Sequence, residues 1–382
     1  MFKHPIKFNA GMSLIELLIA LVLGMTLAAG VIQIYVGSTT TERSQDARLR
    51  MQEGGRFGIN FLSQEIRMAG YLGCLGSIEG TSANDILDGA PASFQPAWGI
   101  QGWEAAGTAP GDVSVSTLNV AEVATNSGEW SSGDANIVMP IFNAVPNSDI
   151  VRVWGGSGSA GTVSTITQGS PPTIVAEANA GIDANDFIMI SDCEQVDIAQ
   201  ACTVVDVGAP ATTSTITLST GCNPGNVNGA IISSVTEPGA LAEVIKLEGT
   251  IFYVGKRGGA AGNPPALFRA QLAANGTLAA PEELIEGVES MQILYGVNTD
   301  EDFRSTADAY LPANLVTEWQ DVISVRITLL MQAIEDATVP QPQAYTFNGV
   351  VYDGSGGALP EDRRVRRVFT TTISLRNRAL GV

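Results

Sequence analysis

The sequence predicts an α+β protein in which a long N-terminal α-helix packs on an antiparallel β-sheet, with a β-rich, loop-rich insertion. Three observations predict it. Residues 12–36 run almost wholly apolar and lead into a stretch of helical period, with no Pro between Pro5 and Pro91 to interrupt it. The last third of the chain alternates apolar and polar residues as half-buried strands do. The part between is rich in Gly, Ser, Ala, Thr and Asn, and the whole chain holds 42 Gly and only 15% charged residues, a composition of strands and loops. At 382 residues the size of the core is not limiting.

Residues 1–11, MFKHPIKFNAG, carry Lys3 and Lys7 and stand before MSLIELLIALVLGMTLAAGVIQIYV. At 1.5 Å per residue that second segment makes about 37 Å of helix, enough to cross a hydrocarbon core of about 30 Å. Cations ahead of the span keep the N-terminus cytoplasmic and send everything after residue 36 across the membrane. The cysteines then reach a compartment in which disulfides persist. An ordinary secretory signal has its small-residue cleavage site after the apolar stretch, whereas Gly11 sits before it, so a cut at Gly11 keeps the anchor. Glu16 is the one ionised residue in the first two turns, and a carboxylate at that depth is costly without a partner. Cleavage between Gly11 and Met12 would create an α-amino group that, on a neighbouring subunit, pairs with Glu16 and sets the axial register.

GMSLIELLIALVLG resembles the class III prepilin signal, which a dedicated prepilin peptidase cuts after Gly before the new N-terminus is methylated. The resemblance makes Gly11 the residue before the scissile bond, Met12 the N-methylated first mature residue, and Glu16 the carboxylate typical of pilins. Many pilins have Phe where this chain has Met12.

From residue 37 to 73 the sequence predicts an amphipathic continuation of the helix. Phe57, Phe61, Leu62, Ile66 and Ala69 recur at helical spacing and are expected to dock it on a sheet. Arg43, Arg48, Arg56 and Arg67 interleave with Glu42, Asp46, Glu53 and Glu65 on a solvated face. Gly54, Gly55 and Gly58 each lower helix propensity by about 1 kcal/mol, which predicts a bend or local break. Major pilins often kink the apolar half with a Pro, and its absence here favours a minor subunit. Gly70 and Gly73 in RMAGYLGC close the helix.

Residues 74–382 form the globular domain. DIVRVWG (149–155), TVSTIT (162–167) and DFIMISD (186–192) read as strands. Cys74, Cys193, Cys202 and Cys222 form no CxxC pair and have no His nearby, so disulfides fit better than zinc. Cys202 and Cys222 flank two β-prone runs around Gly-Ala-Pro, which suggests a hairpin tied at its ends. The preferred pairing is Cys202 with Cys222 and Cys74 with Cys193, although four cysteines allow three connectivities and the sequence does not choose among them. The strands IFYVGK, ALFRAQL, ELIEGVESMQILYGV, EWQDVISVRITLLMQA and RRVFTTTISLRN predict an antiparallel sheet.

This pattern, together with MAGYLGC, SDCEQ, EGVESMQILYGVNTD and WQDVISVRI, is similar to the PilW family of type IV pilus minor pilins. The resemblance implies a pilin-like fold and a subunit that primes assembly and sits at or near the pilus tip, supporting adhesion or twitching motility. It implies other minor pilins, the major pilin and a tip adhesin as partners. The implied location is the inner membrane of a Gram-negative bacterium and then the extracellular pilus. A type II secretion pseudopilin of the J type and a tip-exposed adhesive module are the alternatives. An exposed aromatic patch around Trp98, Trp103 and Trp130 would mark the second, but burial of these residues is the expectation.

Enzymatic chemistry finds little footing. The only His is His4, ahead of the expected cut, so Ser-His and Cys-His catalysis are excluded from the mature chain. With 39 acidic residues against 20 basic and a net charge of −19, nucleic acid is an improbable general partner. Arg363, Arg364, Arg366 and Arg367 form one basic cluster, and on an edge strand such charges more often block wrong pairing or meet acidic neighbours than bind DNA. No cofactor is expected. Asn298, Asp300, Asp302 and Asp308 could converge on Ca²⁺, but Phe303 and Ala309 stand where an EF-hand loop has Gly and Glu, and a solvated acidic loop is the preferred reading.

Overall fold

The computed structural model describes residues 13–71, 73, 83–88, 98–111, 130–132, 144–178, 180–227, 231, 242–259, 263–271, 278–299, 306–355 and 358–377. Helix α1 runs Leu14–Arg67 without interruption. The strands, in chain order, are β1 (Ala83–Asp85), β2 (Ile100–Ala105), β3 (Trp130–Ser131), β4 (Ile150–Thr167), β5 (Thr173–Glu177), β6 (Phe187–Ser191), β7 (Val196–Gln200), β8 (Thr203–Gly208) and β9 (Ala211–Thr217). There follow β10 (Ala242–Lys256), β11 (Pro265–Gln271), β12 (Glu282–Glu286), β13 (Val288–Val297), β14 (Ala309–Leu311), β15 (Val322–Gln332), β16 (Tyr345–Phe347), β17 (Val350–Tyr352) and β18 (Arg366–Ser374).

Among the described residues a 12-stranded sheet follows the path β1-β7-β6-β10-β4-β5-β9-β8, with β11 and β12 alongside β10, and β2 and β3 alongside β4. Its pairs are antiparallel except β1 with β7. A second, 4-stranded antiparallel sheet has the order β14-β13-β15-β18. The fold is α+β, a long helix on a sheet with a β-rich insertion.

Two strand readings change in detail. The runs 149–155 and 162–167 belong to one 18-residue strand, β4. The last third divides between sheets: β10, β11 and β12 join the large one, β13, β14, β15 and β18 build the small one, and β16 pairs with β17 alone in a two-stranded sheet. The division falls at Gly287. Its φ is +83°, a left-handed conformation that a side chain disfavours, and an added Cβ would lie 2.8 Å from the Gln332 carbonyl oxygen. Gly287 N–H donates to Pro265 O while its own carbonyl accepts from Gln332 N–H, so one residue is bonded to both sheets.

The main core lies between α1, the small sheet and the adjoining half of the large one. It joins Leu62 and Ile66 of α1 to Phe252, Leu267, Ile285, Met291, Ile327 and Leu329. Burying each such side chain contributes about 2 kcal/mol, which fixes the docked half of the helix. A separate core, built from Ile174, Ile188, Ile190, Ile216 and Val244, holds the insertion together.

The predicted break at Gly54, Gly55 and Gly58 does not occur. A Cβ on Gly55 would overlap the Phe369 ring, one on Gly58 would lie 2.7 Å from Ile285 Cδ1, and one on Gly54 would lie 3.3 Å from Ile285 Cγ2. These glycines let the helix approach β12 and β18 closely, and the packing offsets their low propensity. Phe57 does not dock the helix either. It is 55% exposed and leans on Phe61, whose ring in turn meets Phe252 edge-on at 6.0 Å.

Candidate assembly interface

Helix α1 has two unlike halves. From Leu14 to Val36 none of its large apolar side chains is covered: Leu14 is 79% exposed and Ile34 75%. In the second half Met51, Gly55, Gly58, Leu62 and Ile66 are buried. A bare apolar surface more than twenty residues long is unstable in water and requires a membrane or other apolar helices. Thr26 Oγ1 donates to Leu23 O at 2.9 Å, and Thr39, Thr40 and Thr41 likewise bond to carbonyls three or four residues back, so the hydroxyls need no external partner.

The helix begins after Ser13, and Glu16 lies exposed in its first turn, where the positive end of the helix dipole favours an anion. Gly11 and Met12 lie outside the described residues. The solvated face carries Asp46 and Arg50, paired at 3.0 Å, and ion pairs so exposed add little stability.

The helix end is locked from several directions. Gly70 N–H donates to Trp154 O at 2.8 Å, and Gly156 N–H to Tyr71 O at 3.0 Å. The Arg67 carbonyl accepts from Arg376 N–H, and the Ala69 carbonyl from Asn377 Nδ2. Orphan carbonyls at a helix terminus need partners, and here the insertion and the chain's C-terminal segment supply them.

The basic cluster serves this packing. Arg366, its side chain 5% exposed, forks onto Glu289 at 2.7 and 3.1 Å and onto Asp362 at 2.7 and 2.9 Å. Burial lifts the Glu289 carboxyl above its ordinary value, against the pull of Arg366. Burial also works against the charged guanidinium, but the bonds to Asp362 and Glu289 outweigh it and hold its proton more tightly than usual. Arg364 donates to the Ala333 and Ile334 carbonyls, and Arg367 lies over the Phe369 ring at 5.3 Å. Carboxylates, backbone carbonyls and an aromatic ring occupy these three arginines.

A second buried polar group joins the two sheets. Asp149 accepts from Ala105 N–H in β2 at 3.0 Å and from Ile293 N–H in β13 at 2.7 Å. Glu104 accepts from Thr108 Oγ1 at 3.1 Å. Burial pushes Glu104 up to about 7, opposed by bonds from Thr108 and the Ala313 N–H. Burial, and then the nearby Glu104, push Asp149 well above its usual range. Nothing in the sequence patterning points to these two carboxyls: Asp149 opens the run 149–155 that reads as an ordinary strand, and the patterning marks no strand at β2, which holds Glu104.

Cys202 and Cys222 are joined, with Cα atoms 5.3 Å apart, at the base of the hairpin formed by β8 and β9. Cys193 is also a half-cystine, and Cys74 lies outside the described residues. Asp308 accepts from Thr299 N–H at 2.7 Å and Thr299 Oγ1 at 3.2 Å, and Asn298 N–H donates to Asp321 O. Asp300 and Asp302 lie outside the described residues. Trp103 and Trp130 are buried, and Trp98 packs against the main core. These three tryptophans therefore form no exposed aromatic patch.

Comparison with known proteins places this geometry. Residues 251–377 match the family model described as Type IV Pilus-assembly protein W, PilW. No curated protein and no solved structure matches the chain. The matched third holds Ile285, Met331 and Phe369, which receive the helix, and the Glu289–Arg366 pair. Over that third of its length the chain is similar to PilW, a family of type IV pilus assembly.

Proposed function

We propose that this chain is a minor pilin, a structural subunit that primes type IV pilus assembly and stays at or near the tip, and that it performs no catalysis. One observation supports this reading above the others: the first half of α1 is bare and almost wholly apolar while the second half is sealed onto the sheet. A rigid anchor of this kind rests in the inner membrane with its N-terminus in the cytoplasm. After cleavage behind Gly11 and methylation of Met12 it enters the filament, where packing against other helices replaces lipid. Glu16 then meets the α-amino group of a neighbouring minor or major pilin, because a carboxylate in apolar surroundings is retained only when paired. The acidic globular domain faces outward toward a tip adhesin.

The test replaces the native copy with Glu16→Gln in the living strain. The variant should accumulate in the inner membrane at the normal level and lower the number of surface pili several-fold. Normal piliation with Glu16→Gln would overturn the register role of this carboxylate.

A further inference from the structure

The far end of the large sheet is an open edge. Strand β8 is the last on the path and, among the described residues, pairs only with β9. The outer side of such a strand offers unpaired backbone N–H and C=O groups to any extended chain. Natural edges are usually blunted by Lys, Pro or a bulge that turns them away. The run Thr203–Val207 holds neither Lys nor Pro, its register shift comes only after Val207, and its one charge, Asp206, is bound to Ser214 Oγ at 2.6 Å.

One face of this edge is apolar and bare. Val205 is 58% exposed and Val207 50%. Across the sheet Val205 is in register with Thr215 and Val175, and Val207 with Thr213 and Glu177. Two exposed β-branched residues on a strand edge, backed by a threonine row, suit the alternate side chains of an added strand. The disulfide between Cys202 and Cys222 holds the base of the hairpin, so the edge is ordered before any partner arrives.

Charge selects the occupant. Glu177, Asp183 and Asp206 line a hollow beside the hairpin. From Met68 to Ile245 the only Lys or Arg is Arg152, and that side chain is buried. A second copy of this chain would bring acid against acid, whereas a segment carrying Lys or Arg would be drawn in.

We propose that the outer edge of β8 is a docking site where an extended, basic segment of a partner protein adds as a further strand, its apolar side chains beside Val205 and Val207. This inference rests on the edge itself and is independent of the filament role.

The test uses the full chain in detergent micelles and a fluorescent peptide of alternating Val and Lys as the probe. Binding should weaken steeply with salt and fall at least tenfold for an analogue with Pro in place of its central Val. The double variant Val205→Lys, Val207→Lys should lose at least tenfold, while Val351→Lys, at an exposed valine of the β16–β17 hairpin, should bind as the parent does. Amide hydrogen exchange of the parent should show the peptide protecting β8 selectively, a readout independent of how the variants fold. No binding, equal binding of the Pro analogue, unaltered exchange at β8, or self-association of the chain through β8 would each overturn the proposal.

Discussion

The stem of the molecule and its insertion are built by opposite rules. The stem, formed by α1, the small sheet and the C-terminal segment, mixes acids and bases and uses them in pairs, of which Arg366 with Glu289 and Asp362 is the deepest. From Met68 to Ile245 the chain holds eighteen Asp and Glu but a single base, Arg152. That base is spent internally, bonded to Gln101 at 3.1 Å and set between the Trp103 and Trp154 rings at 5.0 and 5.6 Å. The stem is therefore fixed by close packing on a helix, whereas the insertion is a strongly acidic stretch of sequence built on a disulfide-tied sheet. The contrast teaches that the net charge of −19 is not spread evenly along the chain but concentrated between Met68 and Ile245.

Four changes break or sharpen this contrast. The largest effect is expected in the stem: Arg366→Ala leaves Glu289 buried without its partner and should cost about 4 kcal/mol in denaturant unfolding of the detergent-solubilised chain. In the insertion, Cys222→Ser frees the hairpin base, and closing a loop of that length contributes about 3 kcal/mol. Proteolysis should then cut first near β8 and β9 while α1 stays docked. Gly55→Leu drives a side chain into the Phe369 ring and should cost about 2 kcal/mol, read as a lower melting temperature with the insertion's near-ultraviolet spectrum intact.

The smallest effect lies at the junction. Glu104 has a folded value of about 7 against an ordinary 4.5, so the folded state holds this proton where the unfolded chain releases it. The associated stability is fully present below about 4.5 and is lost as the pH rises through about 7. Asp149, also shifted upward, acts in the same sense. Glu104→Gln should therefore flatten the fall in stability between pH 5 and pH 8, gaining about 1 to 2 kcal/mol over the parent at pH 8 and little at pH 5, as a melting series would show.

Much of the stem was legible in the sequence because it obeys local rules. The apolar run, the unbroken helical period and the alternating strands each carry their signal within a few residues, and Cys202 and Cys222 flank their hairpin directly. What escaped was set by distant partners. Gly54, Gly55 and Gly58 read as weak points because propensity is local, while the rings and methyls that need the space come from Phe369 and Ile285, more than two hundred residues away. Phe57 shares a helical face with Phe61 yet stays outside, because the buried face of the helix is carried by Met51, Gly55, Gly58, Leu62 and Ile66. Arg366 read as one of a cluster expected to meet acidic neighbours, and only the fold identifies them as Glu289 and Asp362. The chain passes from one sheet to the other at Gly287, one glycine among 42.

The central claim, that the bare half of α1 is a processed assembly interface, is tested most directly by intact-mass spectrometry of the protein from sheared surface filaments. The account predicts a mass lacking residues 1–11 and carrying one added methyl group, with the protein missing from filaments of a Gly11→Ala strain. A full-length mass confined to membranes in both strains would contradict it.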